Sequence, residues 1–185
     1  MGKNGLISVL QTAKLPQLID CFPQDNLTLE FDFADYAALF VALDELYGPT
    51  GGQGLALRAG RAMLPIAVKQ FGGLPGITEV SMQLVPLPSK IRLSLMALAH
   101  TTNETSDQHA SVRETQDEFL YNIHPCGMCW GRKKQAKPAC YFTTGFLKEG
   151  LKWISGGREF RVWESACQAT GGEACEFIIP KEPMN

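Results

Sequence analysis

Apolar positions recur at three- and four-residue steps through the first half of the chain and switch to alternation in its last third. Residues 5–20 mix apolar and polar groups around Pro16, which predicts one or two short helices ending before Pro23. From Asp35, a capping residue type, Tyr36, Leu39, Phe40, Leu43 and Leu46 mark one helical face, and Gly48-Pro49 stops it. A second helix is predicted from Gly51-Gly52 through Leu55, Met63, Ile66 and Phe71 to Gly72-Gly73, kinked at Pro65, with Gly54 and Gly60 allowing close packing. Pro86 and Pro88 precede a third helix of about one dozen residues, capped by Ser89 and carrying Ile91, Leu95 and Leu98. Polar residues 101–109 then read as a loop.

From Val112 to Ile123 the apolar Phe119, Tyr121 and Ile123 alternate with polar neighbours, which predicts a strand with one buried face. Pro138 opens a helix carrying Tyr141, Phe142, Phe146, Leu147, Leu151 and Ile154 and ended by Gly156-Gly157, with Cys140 in its first turn. A hairpin closes the chain: Phe160, Val162 and Glu164 precede a turn around Thr170-Gly171-Gly172-Glu173, and Cys175, Phe177 and Ile179 follow it. Helices first and an antiparallel sheet later predict an α+β fold. One domain over 1–185 is expected, with an N-terminal helical extension over 1–25 and a metal-bearing part over 110–180.

Composition narrows the function classes. With 45% hydrophobic and 19% charged residues, the 185-residue chain is that of an ordinary folded protein. The net charge of −2 and the scatter of Lys and Arg, apart from Arg132-Lys133-Lys134, argue against direct nucleic-acid binding. No stretch reaches the roughly 18 apolar residues of a membrane span. Residues 1–10 lack the apolar core of an export signal, so a cytoplasmic protein is expected.

In such a protein six cysteines point to metal or redox chemistry rather than disulfides. Cys21 stands alone; Cys126, Cys129, Cys140, Cys167 and Cys175 cluster in the last third. A tetrahedral zinc site needs about four ligands on rigid supports. Glu164-x-x-Cys167 at the end of one hairpin strand and Cys175 at the start of the other converge, and Cys140 completes a set. The other grouping is Cys126-x-x-Cys129 with His124 nearby, a spacing shared by zinc, iron-sulfur and dithiol redox centres. These two cysteines stand as a possible second metal or redox pair.

The run Cys126-Gly127-Met128-Cys129, Pro138-Ala139-Cys140, Gly145, Gly150, Val162-Trp163-Glu164, Cys167, Gly171-Gly172 and Cys175-Glu176-Phe177 resembles the 4-vinyl reductase domain family. That family includes a protein tied to bacteriochlorophyll synthesis, archaeal hydrocarbon-binding proteins and the sensor domains of phenol- and xylene-responsive activators. Its fold is similar to core subunits of the TRAPP tethering complex. The resemblance implies an antiparallel sheet packed with helices, a homodimer, and zinc on Cys140, Glu164, Cys167 and Cys175, pinning the hairpin to the Pro138 helix. It covers residues 120–180 and transfers no pocket residue.

Three readings follow from it. The first is a sensor or carrier for an apolar small molecule, whether an aromatic, a lipid-like compound or a tetrapyrrole, with Trp130, Phe142, Phe146, Trp153 and Trp163 available to line a pocket. The second is a vinyl reductase or an accessory factor of chlorophyll synthesis. Against it, no G-x-G-x-x-G turn or other cofactor cradle is present, and an iron-sulfur cluster on Cys126 and Cys129 would compete with zinc for thiolates. The third is a dimeric scaffold. No G-x-x-x-x-G-K-[ST] loop stands in the sequence, so a signal is expected to pass to a separate partner. Arg58 and Arg61, about a turn apart, can meet an acidic group.

Overall fold

The fold, a computed structural model, is described for residues 1–24, 26–71 and 85–184. Four helices, α1 (Gly2–Thr12), α2 (Phe33–Phe71), α3 (Leu87–Thr105) and α4 (Tyr141–Ile154), cover one four-stranded sheet of β1 (His109–Glu114), β2 (Glu118–His124), β3 (Trp163–Ala166) and β4 (Cys175–Pro180). The strand order is β1-β2-β4-β3 and every pairing is antiparallel, so the α+β expectation holds.

Several local expectations are corrected. Asp32, not Asp35, caps α2: its Oδ1 accepts the Ala34 N–H at 2.7 Å, while Asp35 sits in the first turn, where a negative charge suits the positive helix end. The two helices expected on either side of Gly48-Pro49 run nearly end to end, broken at Gly48 with φ 70° and ψ 163°. Leu46, Met63 and Ile66 are exposed, and the face that α2 buries beyond the break is Gly52, Ala56, Gly60 and Leu64. The reason is close approach to α4. A Cβ on Gly60 would overlap the Phe142 carbonyl oxygen and lie 2.8 Å from its carbon; one on Gly145 would overlap the Leu57 carbonyl oxygen and lie 2.9 Å from its carbon. The expected stop at Gly72-Gly73 lies outside the described residues.

Ser89 does not cap α3, whose N-cap is Pro86. Residues 101–105, read as loop, continue that helix, because the Thr105 and Ser106 hydroxyls donate to the carbonyls of Thr101 and Thr102 at 2.8 and 2.7 Å and satisfy its polar end. The single strand expected over 112–123 is a hairpin, turned where Thr115 N–H donates to Glu118 O at 2.9 Å. Cys140 is the N-cap of α4 rather than part of its first turn.

Sheet register orders the core. The cross-strand pairs Phe119 with Ile179, Tyr121 with Phe177, and Ile123 with Cys175 share one face, and all six side chains are buried. At about 1.5–3 kcal/mol per large apolar side chain, this face is a principal source of stability. Glu164 pairs with Phe177 and therefore belongs to the same inward face, beside Cys175.

Candidate metal centre

Five segments deliver donors to one buried volume at the end of the sheet. Cys126 and Cys129 bracket a 3-10 turn (Gly127–Cys129) just after β2, Cys140 starts α4, Glu164 lies on β3, Cys167 precedes a second 3-10 turn (Gln168–Thr170), and Cys175 begins β4. All five cysteines are at most 2% exposed, whereas Cys21 is exposed and apart from them. Two sets of four donor atoms each lie within 4.8 Å of one another: Cys126, Cys129, Cys140, Cys175; and Cys140, Glu164, Cys167, Cys175. Cys140 and Cys175 belong to both. His124, expected near the first set, is exposed and in neither.

The sulfur spacings are those of a mononuclear shell. Cys126 to Cys140 and Cys129 to Cys175 are 3.5 Å, Cys140 to Cys175 is 3.6 Å, and Cys167 to Cys175 is 3.8 Å. A tetrahedron with metal–sulfur bonds near 2.3 Å has edges of about 3.8 Å. Cysteines that hold an iron-sulfur cluster bind different irons and stand farther apart. One carboxylate oxygen of Glu164 accepts the Cys140 N–H at 2.8 Å; the other, Oε1, is buried with no partner among the described residues. An orphaned acceptor among thiols is what a cation would satisfy.

Electrostatics agree with that reading. Hydrogen bonds with Cys129, Cys140 and Cys175 hold Cys126 well below the usual thiol range, and the same crowd, Cys126 foremost, pushes Cys140 well above it. One negative charge is stabilised by neighbouring S–H groups, and further charges in the same dry volume are opposed. Burial, reinforced by Cys167, pushes the Glu164 carboxyl up to about 8. A divalent cation removes this opposition, because each donor binds it in the deprotonated form.

The backbone is fixed around the donors. The Gln168 side chain accepts the Cys126 N–H at 2.7 Å and donates to Glu173 O at 3.1 Å, and its own N–H points at Cys175 Sγ at 3.4 Å. Gln108 Oε1 accepts the Gly127 N–H at 3.1 Å. Nothing in the sequence singles out Gln108, and Gln168 is marked only by following Cys167. Arg132 pairs with Asp44 at 2.8 Å, tying the cysteine loop to α2. Arg132→Ala is expected to cost about 1–3 kcal/mol, because it strands a half-buried carboxylate; a lower urea midpoint at unchanged metal content is the check.

The aromatic residues expected to line a pocket are distributed. Trp130 packs edge-on against Phe33 at 5.6 Å, Phe142 meets Tyr36 and Phe40 in the core, and Arg161 lies over Trp163 at 5.5 Å. Phe146 and Trp153 do share a cavity, of ≈ 50 Å³, between α2, α3 and α4. Leu64, Val68, Leu95 and Leu98 form its other main walls, and Ser94 also lines it. Arg61 is engaged with Glu149 and Glu159 at 3.4 and 3.0 Å, while Arg58 is exposed.

Residues 119–181, from β2 to just past β4, match the family model of the 4-vinyl reductase domain, so the resemblance read in the sequence holds over the segment that carries all six donors. No curated protein matches the chain. Solved structures of similar fold include an H-NOX protein from K. algicida in the unliganded Fe(II) state, with TM-score 0.57 and 12% identity over 98% of this chain and 90% of that one. The phenol-responsive sensory domain of the transcription activator PoxR, bound to phenol, aligns with TM-score 0.54 and 15% identity over 83% of this chain and 76% of that one. Trafficking protein particle complex subunit 3 from Naegleria fowleri, covalently bound to palmitic acid, aligns with TM-score 0.52 and 12% identity over 98% and 99%. Identities this low show a shared fold. No described helix is long and apolar enough to cross a membrane.

Proposed function

Starting from the family match over residues 119–181, we propose that this chain is a sensor domain for a small apolar molecule, its hairpin pinned by zinc on Cys140, Glu164, Cys167 and Cys175. A zinc ion there supplies cross-linking rather than reaction chemistry, since four protein donors leave it no open position. The tetrahedral spacing and the orphaned Glu164 oxygen support this assignment over a cluster.

One observation carries the ligand class. The cavity between α2, α3 and α4 is almost wholly apolar, yet Ser94, 6% exposed, brings to it a buried hydroxyl with no partner among the described residues. Apolar walls with one or two placed polar groups are the ordinary build of a small-molecule site. A hydroxylated aromatic would put its ring among Leu95, Leu98 and Phe146 and its hydroxyl on Ser94. At ≈ 50 Å³ the space suits a small ring far better than a tetrapyrrole. Phenol bound to the sensory domain of similar fold lends the reading further support.

Trp153 reports on this cavity directly, so phenol and benzene titrations followed by its fluorescence, in a Trp130→Phe/Trp163→Phe background, test the assignment. Both ligands are expected to bind, phenol more tightly. Ser94→Ala is expected to weaken phenol about five- to tenfold, the worth of one hydrogen bond of roughly 1 kcal/mol, and to leave benzene unchanged. Absence of binding by either ligand would remove the proposal.

A further inference from the structure

The zinc reading above leaves Cys126 and Cys129 without a task. Both thiols are buried, at 1% and 2% exposure, and each has its sulfur 3.5 Å from a sulfur of the zinc set, Cys126 from Cys140 and Cys129 from Cys175. A C-x-x-C turn delivers both sulfurs to the same side, as in structural zinc knuckles. Its loop is separately anchored: Cys126 N–H is bonded to Gln168, Gly127 N–H to Gln108, and Gly127 sits where a Cβ would fall 2.9 Å from the Phe33 ring.

Resting on that metal reading, we infer that the centre is binuclear: Cys126 and Cys129 hold a second divalent cation, and Cys140 and Cys175 bridge it to the first. The two four-donor sets share one edge, the Cys140–Cys175 pair at 3.6 Å, and two tetrahedra joined along an edge need six donors in all. Five thiolates and one carboxylate supply that number. Charge points the same way. Six deprotonated donors around one divalent cation would bury four uncompensated negative charges, or else idle protonated thiols, whereas two cations leave only two charges. The ligand class is a thiophilic, tetrahedral dication, zinc in the first instance. Thiolate-rich donors disfavour magnesium and calcium, which take oxygen.

The test is metal stoichiometry on the full chain, purified under reductant without a metal-affinity tag, saturated with zinc, and read by native mass spectrometry together with elemental analysis. The wild type is expected to carry two zinc ions, the Cys126→Ser/Cys129→Ser protein one. In case that variant fails to fold, the cadmium-113 spectrum of the wild type gives an independent answer. Two resonances are expected, one for a four-sulfur and one for a three-sulfur, one-oxygen shell, coupled to each other through the shared thiolates. A single zinc with Cys126 and Cys129 still open to a thiol reagent after mild unfolding would overturn the inference and make them hydrogen-bond donors to a mononuclear site, leaving the zinc proposal intact. No metal at all, or iron with sulfide, would overturn both.

Discussion

Cys175→Ser is expected to abolish metal binding and to leave a domain that no longer melts cooperatively near the wild-type temperature. Its sulfur lies 3.5–3.8 Å from those of Cys129, Cys140 and Cys167, so either set of donors loses a corner with it. Structural zinc contributes on the order of 10 kcal/mol when its site forms only in the folded state. A whole domain is stable by about 5–15 kcal/mol, so the loss is comparable to all the stability available. The sheet explains why it is not local: Cys175 is the first residue of β4, which pairs with both β2 and β3. Prolonged chelation should reproduce the effect in the wild type. Cys21→Ser, at an exposed site away from the cluster, should change neither metal content nor melting. Elemental analysis and thermal denaturation of the three proteins decide the matter, and equal metal content in the wild type and Cys175→Ser would remove Cys175 from the site.

Gly60→Ala and Gly145→Ala are each expected to destabilise the fold by about 3 kcal/mol or more, the upper end of overpacking costs. Intrinsic helix propensity predicts the opposite sign, since alanine is favoured over glycine by about 1 kcal/mol in a helix interior. Backbone proximity decides between the two effects. The new methyl groups would overlap the Phe142 and Leu57 carbonyl oxygens, and these belong to helix backbone that cannot turn aside as a side chain can. Separating α2 from α4 would also disturb the cavity walls Leu64 and Phe146 and shift the helix that Cys140 starts. Gly54→Ala provides the contrast: its Cβ would meet nothing within 4 Å, and a gain of up to about 1 kcal/mol is expected. Urea midpoints for the three variants test the helix contact, and a Gly60→Ala protein as stable as the wild type would refute it.

Both predictions trace to residues whose type was legible in the sequence but whose neighbours were not. Gly54 and Gly60 look alike there, two glycines in one helical stretch; only the position of α4 makes one indispensable and the other replaceable. The exposed Met63 and Ile66 show the converse, since apolar periodicity gives a helix but not which of its faces is covered. The caps at Asp32 and Pro86 and the threonine-rich end of α3 were misplaced because hydrogen bonds of a few side chains set helix ends, and several candidates stand in each neighbourhood.

By itself the sequence determined the α+β class, the order of the later strands and helix, the close-packing role of Gly60, and the collection of five cysteines and Glu164 in the last third. These rest on local periodicity, on glycine and proline punctuation, and on donor chemistry, all of which act over a few residues. Tertiary structure alone decided that the two cysteine groupings, alternatives along the chain, are one cluster sharing Cys140 and Cys175. It also decided that the tryptophans and phenylalanines lie in separate surroundings, and that the candidate pocket is built around Ser94. The physical reason is common to all three. Antiparallel register and helix docking bring together residues tens of positions apart, and no local pattern along the chain encodes which of them will meet.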